Sequence, residues 1–185
     1  RFNFYGKTLY GQPSQTERWK AMVNTTDDNL GELLGQLYTE QYFKPEAKKR
    51  MLELVNNLQK VYAERIQKLD WMTPETKKKA LGKLNAFIKK IGYPDKWKKY
   101  DDVEISNDTY YANLQSAKKH AYKEMMDKLG KPVDKTEWMM TAPTVNAYYN
   151  PSFNEIVFPA GILQFPFFDF AADDAINYGA IGAVI

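Results

Sequence analysis

The chain has 185 residues, 44% hydrophobic and 15% aromatic, with no cysteine and a formal net charge of +3. That length and composition suit one sizeable core or pieces of two domains. Disulfides and thiolate metal sites are excluded, and no run approaches the ~18–20 apolar residues of a membrane span. The charge is uneven: residues 44–99 carry 16 Lys and Arg against 6 Asp and Glu. These charges interleave with a helical apolar period, which predicts solvated outer faces rather than a nucleic-acid or acidic-surface patch.

Arg1 to Pro13 is aromatic and punctuated by glycine, the composition of a connector; Arg1-Phe2-Asn3-Phe4 has none of the layout of a signal peptide. From Ser14 the pattern turns helical. Trp19, Met22 and Val23 recur at helical spacing, the polar patch Asn24 to Asp28 predicts a break or recapping, and Leu30, Leu33, Leu34, Leu37 and Tyr38 continue the stripe. Glu46 to Leu69 reads as the clearest helix, with Met51, Leu54, Val55, Leu58, Tyr62, Ile66 and Leu69 on one face. Thr73-Pro74-Glu75 supplies an N-cap, an N1 proline and an acidic first turn. The helix it opens is expected to bury Ala80, Leu81, Leu84, Phe87, Ile88 and Ile91 and to stop at Gly92 and Pro94. Ser106 to Leu129 predicts a further helix, with Tyr110, Leu114, Ala117, Ala121 and Met125 on one side, and Lys131 to Pro143 an ordered loop.

Two short β-rich runs follow, Thr144 to Tyr149 and Glu155 to Phe158, joined by the turn formers of Asn150-Pro151-Ser152-Phe153-Asn154. This is a hairpin. Strict alternation places Val145, Ala147 and Tyr149 on one face and Asn146 and Tyr148 on the other. An amide then stands beside main-chain donors and acceptors on a possible edge strand, an arrangement able to bind peptide by strand addition. The fold class is therefore α+β, predominantly α-helical.

Groups for catalysis are scarce. The only histidine, His120, lies among Lys118, Lys119 and Lys123, a basic neighbourhood that disfavours a cation, and reads as a surface or flank residue. A catalytic zinc needs three protein ligands and an open position. Asp101-Asp102 and Asp173-Asp174 read as caps and solubility residues rather than an acid/base dyad. No phosphate loop or nucleophile elbow is present.

The segments VNAYY, NEIVFPAGILQ, PFF and NYGAIGAVI resemble the run that precedes the zinc-binding helix in neprilysin-type and endothelin-converting-enzyme-type zinc metallopeptidases, bacterial oligopeptidases included. Trp71-Met72-Thr73 and Ile91-Gly92-Tyr93-Pro94 extend the likeness to about nine-tenths of the chain. In that family Gly-His-Glu-x-x-His follows a segment like Ala180 to Ile185. The resemblance therefore implies an internal piece of a larger, two-domain metallopeptidase, with residues 1–142 in its mainly helical region and 143–185 holding the hairpin and the start of the zinc-site helix. It further implies zinc in the full-length parent, held by that motif and a later Glu, with none bound by this chain. Ala21, where the cysteine-rich mammalian relatives are expected to have Cys, favours a bacterial-type member; the family includes cytoplasmic and exported bacterial enzymes, and a periplasmic or extracellular location is expected ahead of a cytoplasmic one.

By the same resemblance, Asn146 holds the backbone of bound peptide and the Ala147 carbonyl pairs with it. Ile162, Phe167, Ala183 and Val184 line the hydrophobic pocket for the side chain after the cleaved bond. Ala183 is smaller than the residue expected there, which implies a roomier pocket. Taken without the family, Asn146 reads as a hairpin-stabilising amide and the four apolar residues as core. The implied function is hydrolysis of short peptides on the amino side of hydrophobic residues, by a parent whose partners are peptide substrates and the rest of the same polypeptide. The alternative is a non-catalytic helical peptide-binding or interaction module that retains the hairpin, distinguished by the sequence that follows Ile185.

Overall fold

A computed structural model describes residues 1–185 as five α-helices and one three-stranded sheet, the α+β class expected. The helices are α1 (Arg18–Tyr42), α2 (Pro45–Lys68), α3 (Pro74–Asn85), α4 (Tyr110–Met126) and α5 (Asp174–Ala180); the strands are β1 (Ile88–Gly92), β2 (Tyr148–Asn150) and β3 (Glu155–Pro159). No helix is long and apolar enough to cross a membrane. The chain forms two compact units, residues 1–31 with 100–129 and residues 32–99 with 130–185.

In the first unit, Phe2–Leu9 forms a π-helical turn where the composition suggested a connector. Helix α1 runs straight through the polar patch expected to break it. The Thr25 and Thr26 hydroxyls donate back to the Ala21 and Met22 carbonyls at 2.9 Å, and the helical dihedrals are lost only later, at Leu30. Helix α4 starts at Thr109, whose side chain accepts from the Ala112 N–H. Of its predicted apolar side only Ala117 is buried, while Tyr110 and Met125 are exposed. The segment before α4 is sewn onto it: Ser106 and Asn113 exchange two hydrogen bonds, and the Glu104 N–H donates to Ser116 Oγ.

The second unit holds the sheet and the main core. Pro45 at N1, Glu46 in the first turn and Arg65 and Lys68 in the last suit the dipole of α2, which buries Ala47, Met51, Leu54 and Val55. Thr73 caps α3 through the Thr76 N–H as its sequence predicts. The end of α3 differs from expectation: the helix stops at Asn85, and Ile88 and Ile91 belong to strand β1. Their helical spacing is outweighed by a five-position parallel ladder with β3, from Ile88 opposite Glu155 to Gly92 opposite Pro159. Asn154, at φ 54°, sets this junction by donating to the Lys83 carbonyl at the end of α3 and accepting, through its own carbonyl, the Ile88 N–H. Gly92 has φ +78°, and a Cβ there would sit 2.6 Å from the Phe43 ring.

Strand order is β1-β3-β2, with β3 parallel to β1 and antiparallel to β2. All five residues of β3 are buried, as a central strand covered on both faces requires. One of them is charged. The Glu155 side chain is 1% exposed and its Oε2 lies 2.7 Å from Lys90 Nζ, itself 8% exposed, on β1. The pairing is ionic; hydrogen-bond geometry is not met, and neither carboxylate oxygen has another partner. Lys90 Nζ also donates to the Glu137 carbonyl at 2.7 Å. Breaking one half of a buried pair leaves an uncompensated charge. Lys90→Met is expected to lower the stability of the second unit by about 3–5 kcal/mol, measured by urea unfolding; adding Glu155→Leu is expected to recover most of the loss.

Candidate functional site

The candidate site is the outer edge of β2 and the residues that lead into it. The hairpin forms as its sequence predicts, with Tyr148 opposite Val157 and Asn150 opposite Glu155. Its first strand is shorter than the β-rich run, so Val145, Asn146 and Ala147 lie ahead of the ladder and the expected alternation begins only at Tyr148. These residues are delivered from below by a tight crossing. The Gly161 N–H donates to the Ala142 carbonyl at 2.8 Å, and a Cβ on Gly161 would fall 2.3 Å from the Pro143 carbonyl oxygen, so this contact requires glycine.

Asn146 is exposed, and its Oδ1 accepts from the Ala147 N–H at 2.8 Å. That bond fixes which way the amide faces and leaves Nδ2 as a free donor. Ala147 is half-buried against the core. Behind them, the Tyr148 hydroxyl accepts from the Met139 N–H at 2.9 Å. Burial pushes the Tyr148 hydroxyl pKa above its ordinary value, opposed by the Met139 hydrogen bond and reinforced by the Glu155 charge. Tyr149 leans outward, with its ring near Phe87 and its hydroxyl donating to Asn154 Oδ1 at 3.1 Å.

The four apolar candidates do not share one environment. Ile162 is in the core at 6% exposure, whereas Phe167 and Val184 are exposed at 37% and 39% and Ala183 is also exposed. Phe167 sits on the loop after β3, and Ala183 ends the short 3-10 turn Ile181–Ala183 that continues α5. Asp173 caps α5 through the Ala175 N–H, the structural role its sequence suggested.

No group of three His, Cys, Asp or Glu side chains is placed to hold a metal ion. His120 is engaged elsewhere, with Nδ1 on Asp102 Oδ1 and its ring stacked 4.9 Å from that of Tyr100. Lys123 Nζ stands 3.4 Å from the other Asp102 oxygen. The sequence assigns no tether to two further polar residues: Asn154, a turn former that also ties the α3–β1 junction, and Asn177, 1% exposed, in α5. An amide inside the apolar run NYGAIGAVI was a visible signal for the second.

The His120 hydrogen bond, chiefly, holds the Asp102 carboxyl below its usual range. A depressed carboxylate stabilises the fold above its unfolded-state pKa, and that contribution is lost as pH falls through the lowered value. The thermal midpoint of the chain is therefore expected to fall more steeply below about pH 4 than that of Asp102→Asn.

Models of peptidase family M13 match residues 1–94 and 146–185. The chain is 37% identical over 191 residues to human neprilysin, covering 99% of this chain and 26% of the relative. It is 38% identical over 183 residues to the neutral endopeptidase of Lactobacillus helveticus, covering 98% and 28%. The open-state structure of the Mycobacterium tuberculosis zinc metalloprotease Zmp1 superposes with a TM-score of 0.90 at 51% identity, covering 100% of this chain and 28% of that one. The chain thus spans about a quarter of the length of the curated relatives it matches.

Proposed function

Because the chain belongs to peptidase family M13, we propose that it supplies the substrate-binding strand and part of the specificity pocket of a zinc-dependent endopeptidase. That enzyme would hydrolyse short peptides on the amino side of hydrophobic residues. The observation that carries the reading is the exposed Asn146, with a free Nδ2 donor, at the entry to edge strand β2.

An extended peptide presents one N–H and one C=O per residue, and both must be satisfied when water is displaced. An edge strand meets that need along its length. In this reading the Ala147 carbonyl accepts a substrate N–H, and Asn146 Nδ2 donates to a substrate carbonyl. The amide adds what a bare edge lacks, a fixed point that sets the register of the peptide. Phe167, Ala183 and Val184 offer exposed apolar surface for one substrate side chain, and the buried Ile162 supports it from the core. These residues bind and orient, and none of them moves a proton. The zinc is proposed for the full-length enzyme, as membership of the family supports.

The test is made on the full-length enzyme with a peptide carrying Leu after the scissile bond. Asn146→Ala is expected to lower kcat/KM about 10–100-fold, the range for losing one or two hydrogen bonds to a bound backbone, while zinc content by elemental analysis stays at the wild-type value. Undiminished kcat/KM in Asn146→Ala would remove the binding-strand assignment. A zinc-free parent without cleavage would leave a peptide-binding protein instead.

A further inference from the structure

Asn177 is the most deeply buried uncharged polar side chain in the chain, at 1% exposure. Its amide is spent on a single backbone residue: Nδ2 donates to the Asp169 carbonyl at 2.8 Å, and Oδ1 accepts the Asp169 N–H at 3.0 Å. This reciprocal pair does what a rung of β-ladder does, joining a helix to a loop that has no secondary structure of its own. Only a side chain that both donates and accepts can make it. A second tether lies beside it. The Arg50 guanidinium on α2 donates to the Phe170 carbonyl and, through Nη2, to Asp174 Oδ1 at 2.7 Å at the start of α5.

Of the two ends joined by Asn177, the loop carries the exposed Phe167 and the helix leads to the exposed Ala183 and Val184. The loop presents Phe167, with its neighbour Phe168 buried in the core at 2%. Helix α5 runs straight into the 3-10 turn, where Ile181 is fully buried and Ala183 and Val184 follow. A cavity of about 440 Å³, lined by Arg50, Phe168, Asp174, Asn177 and Tyr178 among others, adjoins the tether and gives the loop room to shift once it is cut.

We infer that Asn177 is a positioning residue for substrate selection, holding the Phe167 loop at a fixed spacing from the turn that carries Ala183 and Val184. The inference rests on the reading of these residues as a specificity pocket. With the spacing fixed, a large apolar side chain fills the pocket and gains the full contact. With the tether cut, the two halves move independently, and the large side chain loses more than a small one.

The experiment uses the full-length enzyme and two peptides that differ only in Leu or Ala after the scissile bond. The readout is the ratio of kcat/KM for the Leu peptide over the Ala peptide. Asn177→Ala is expected to lower this ratio about tenfold, the scale at which misplaced apolar contacts discriminate, and Arg50→Met to lower it in the same direction by less. Zinc content and thermal midpoint are measured alongside. A folded, zinc-replete Asn177→Ala with an unchanged ratio overturns the inference, since a merely structural residue would lower both peptides together. If Asn177→Ala does not fold, Arg50→Met decides, and an unchanged ratio there overturns it. A wild type that cleaves both peptides equally fails the pocket reading and the inference together; a preference that survives in both variants fails the inference alone.

Discussion

The second unit is organised by the ion pair between Lys90 and Glu155 inside a sheet whose central strand is otherwise apolar. Taking two charges out of water is unfavourable unless they stay together. The constraint this imposes is positional. Lys90 Nζ meets Glu155 across the β1–β3 ladder and also bonds the Glu137 carbonyl, so one ammonium group joins two strands and the loop that leads to the hairpin. Glu155 is in turn opposite Asn150 at the end of β2. A slip of one residue in the β1–β3 ladder would put Lys90 and Glu155 on opposite faces and strand both charges.

Local chemistry made the hairpin and the helix starts readable from sequence. Pro151 and Asn154 between two β-rich runs, and Thr73-Pro74-Glu75 before an apolar period, each act within a few residues, and the structure follows them. Strand β1 was not readable for the converse reason. Phe87, Ile88 and Ile91 satisfy a helical period as well as a strand, and the partner that decides between them begins at Glu155, far along the chain. The burial of Lys90 was hidden in the same way. Its neighbours in sequence are those of a solvated basic face, and only the parallel ladder brings it to Glu155.

The site was legible unevenly. Asn146 stands out as a polar residue in a β-rich, apolar stretch, and its exposure matches that prominence. Apolar residues carry no such mark. Ile162 and Phe167 are indistinguishable by composition, yet one is in the core and the other faces solvent. Asn177 is the opposite case, a polar residue whose type was informative but whose partner, the Asp169 backbone, only the folded chain supplies. Backbone groups bear no sequence signature, so tethers made to them are invisible until the loop and helix are placed.

The short length of β2 has a consequence for how this protein keeps company with itself. An open edge that welcomes one extended chain welcomes others, and unguarded edges are a common route to aggregation. β2 offers only Tyr148 to Asn150, and Pro151, which lacks an N–H, follows at once. So short a ladder is a small template for edge-to-edge pairing between copies, and short edge strands are one of the ways proteins blunt that hazard.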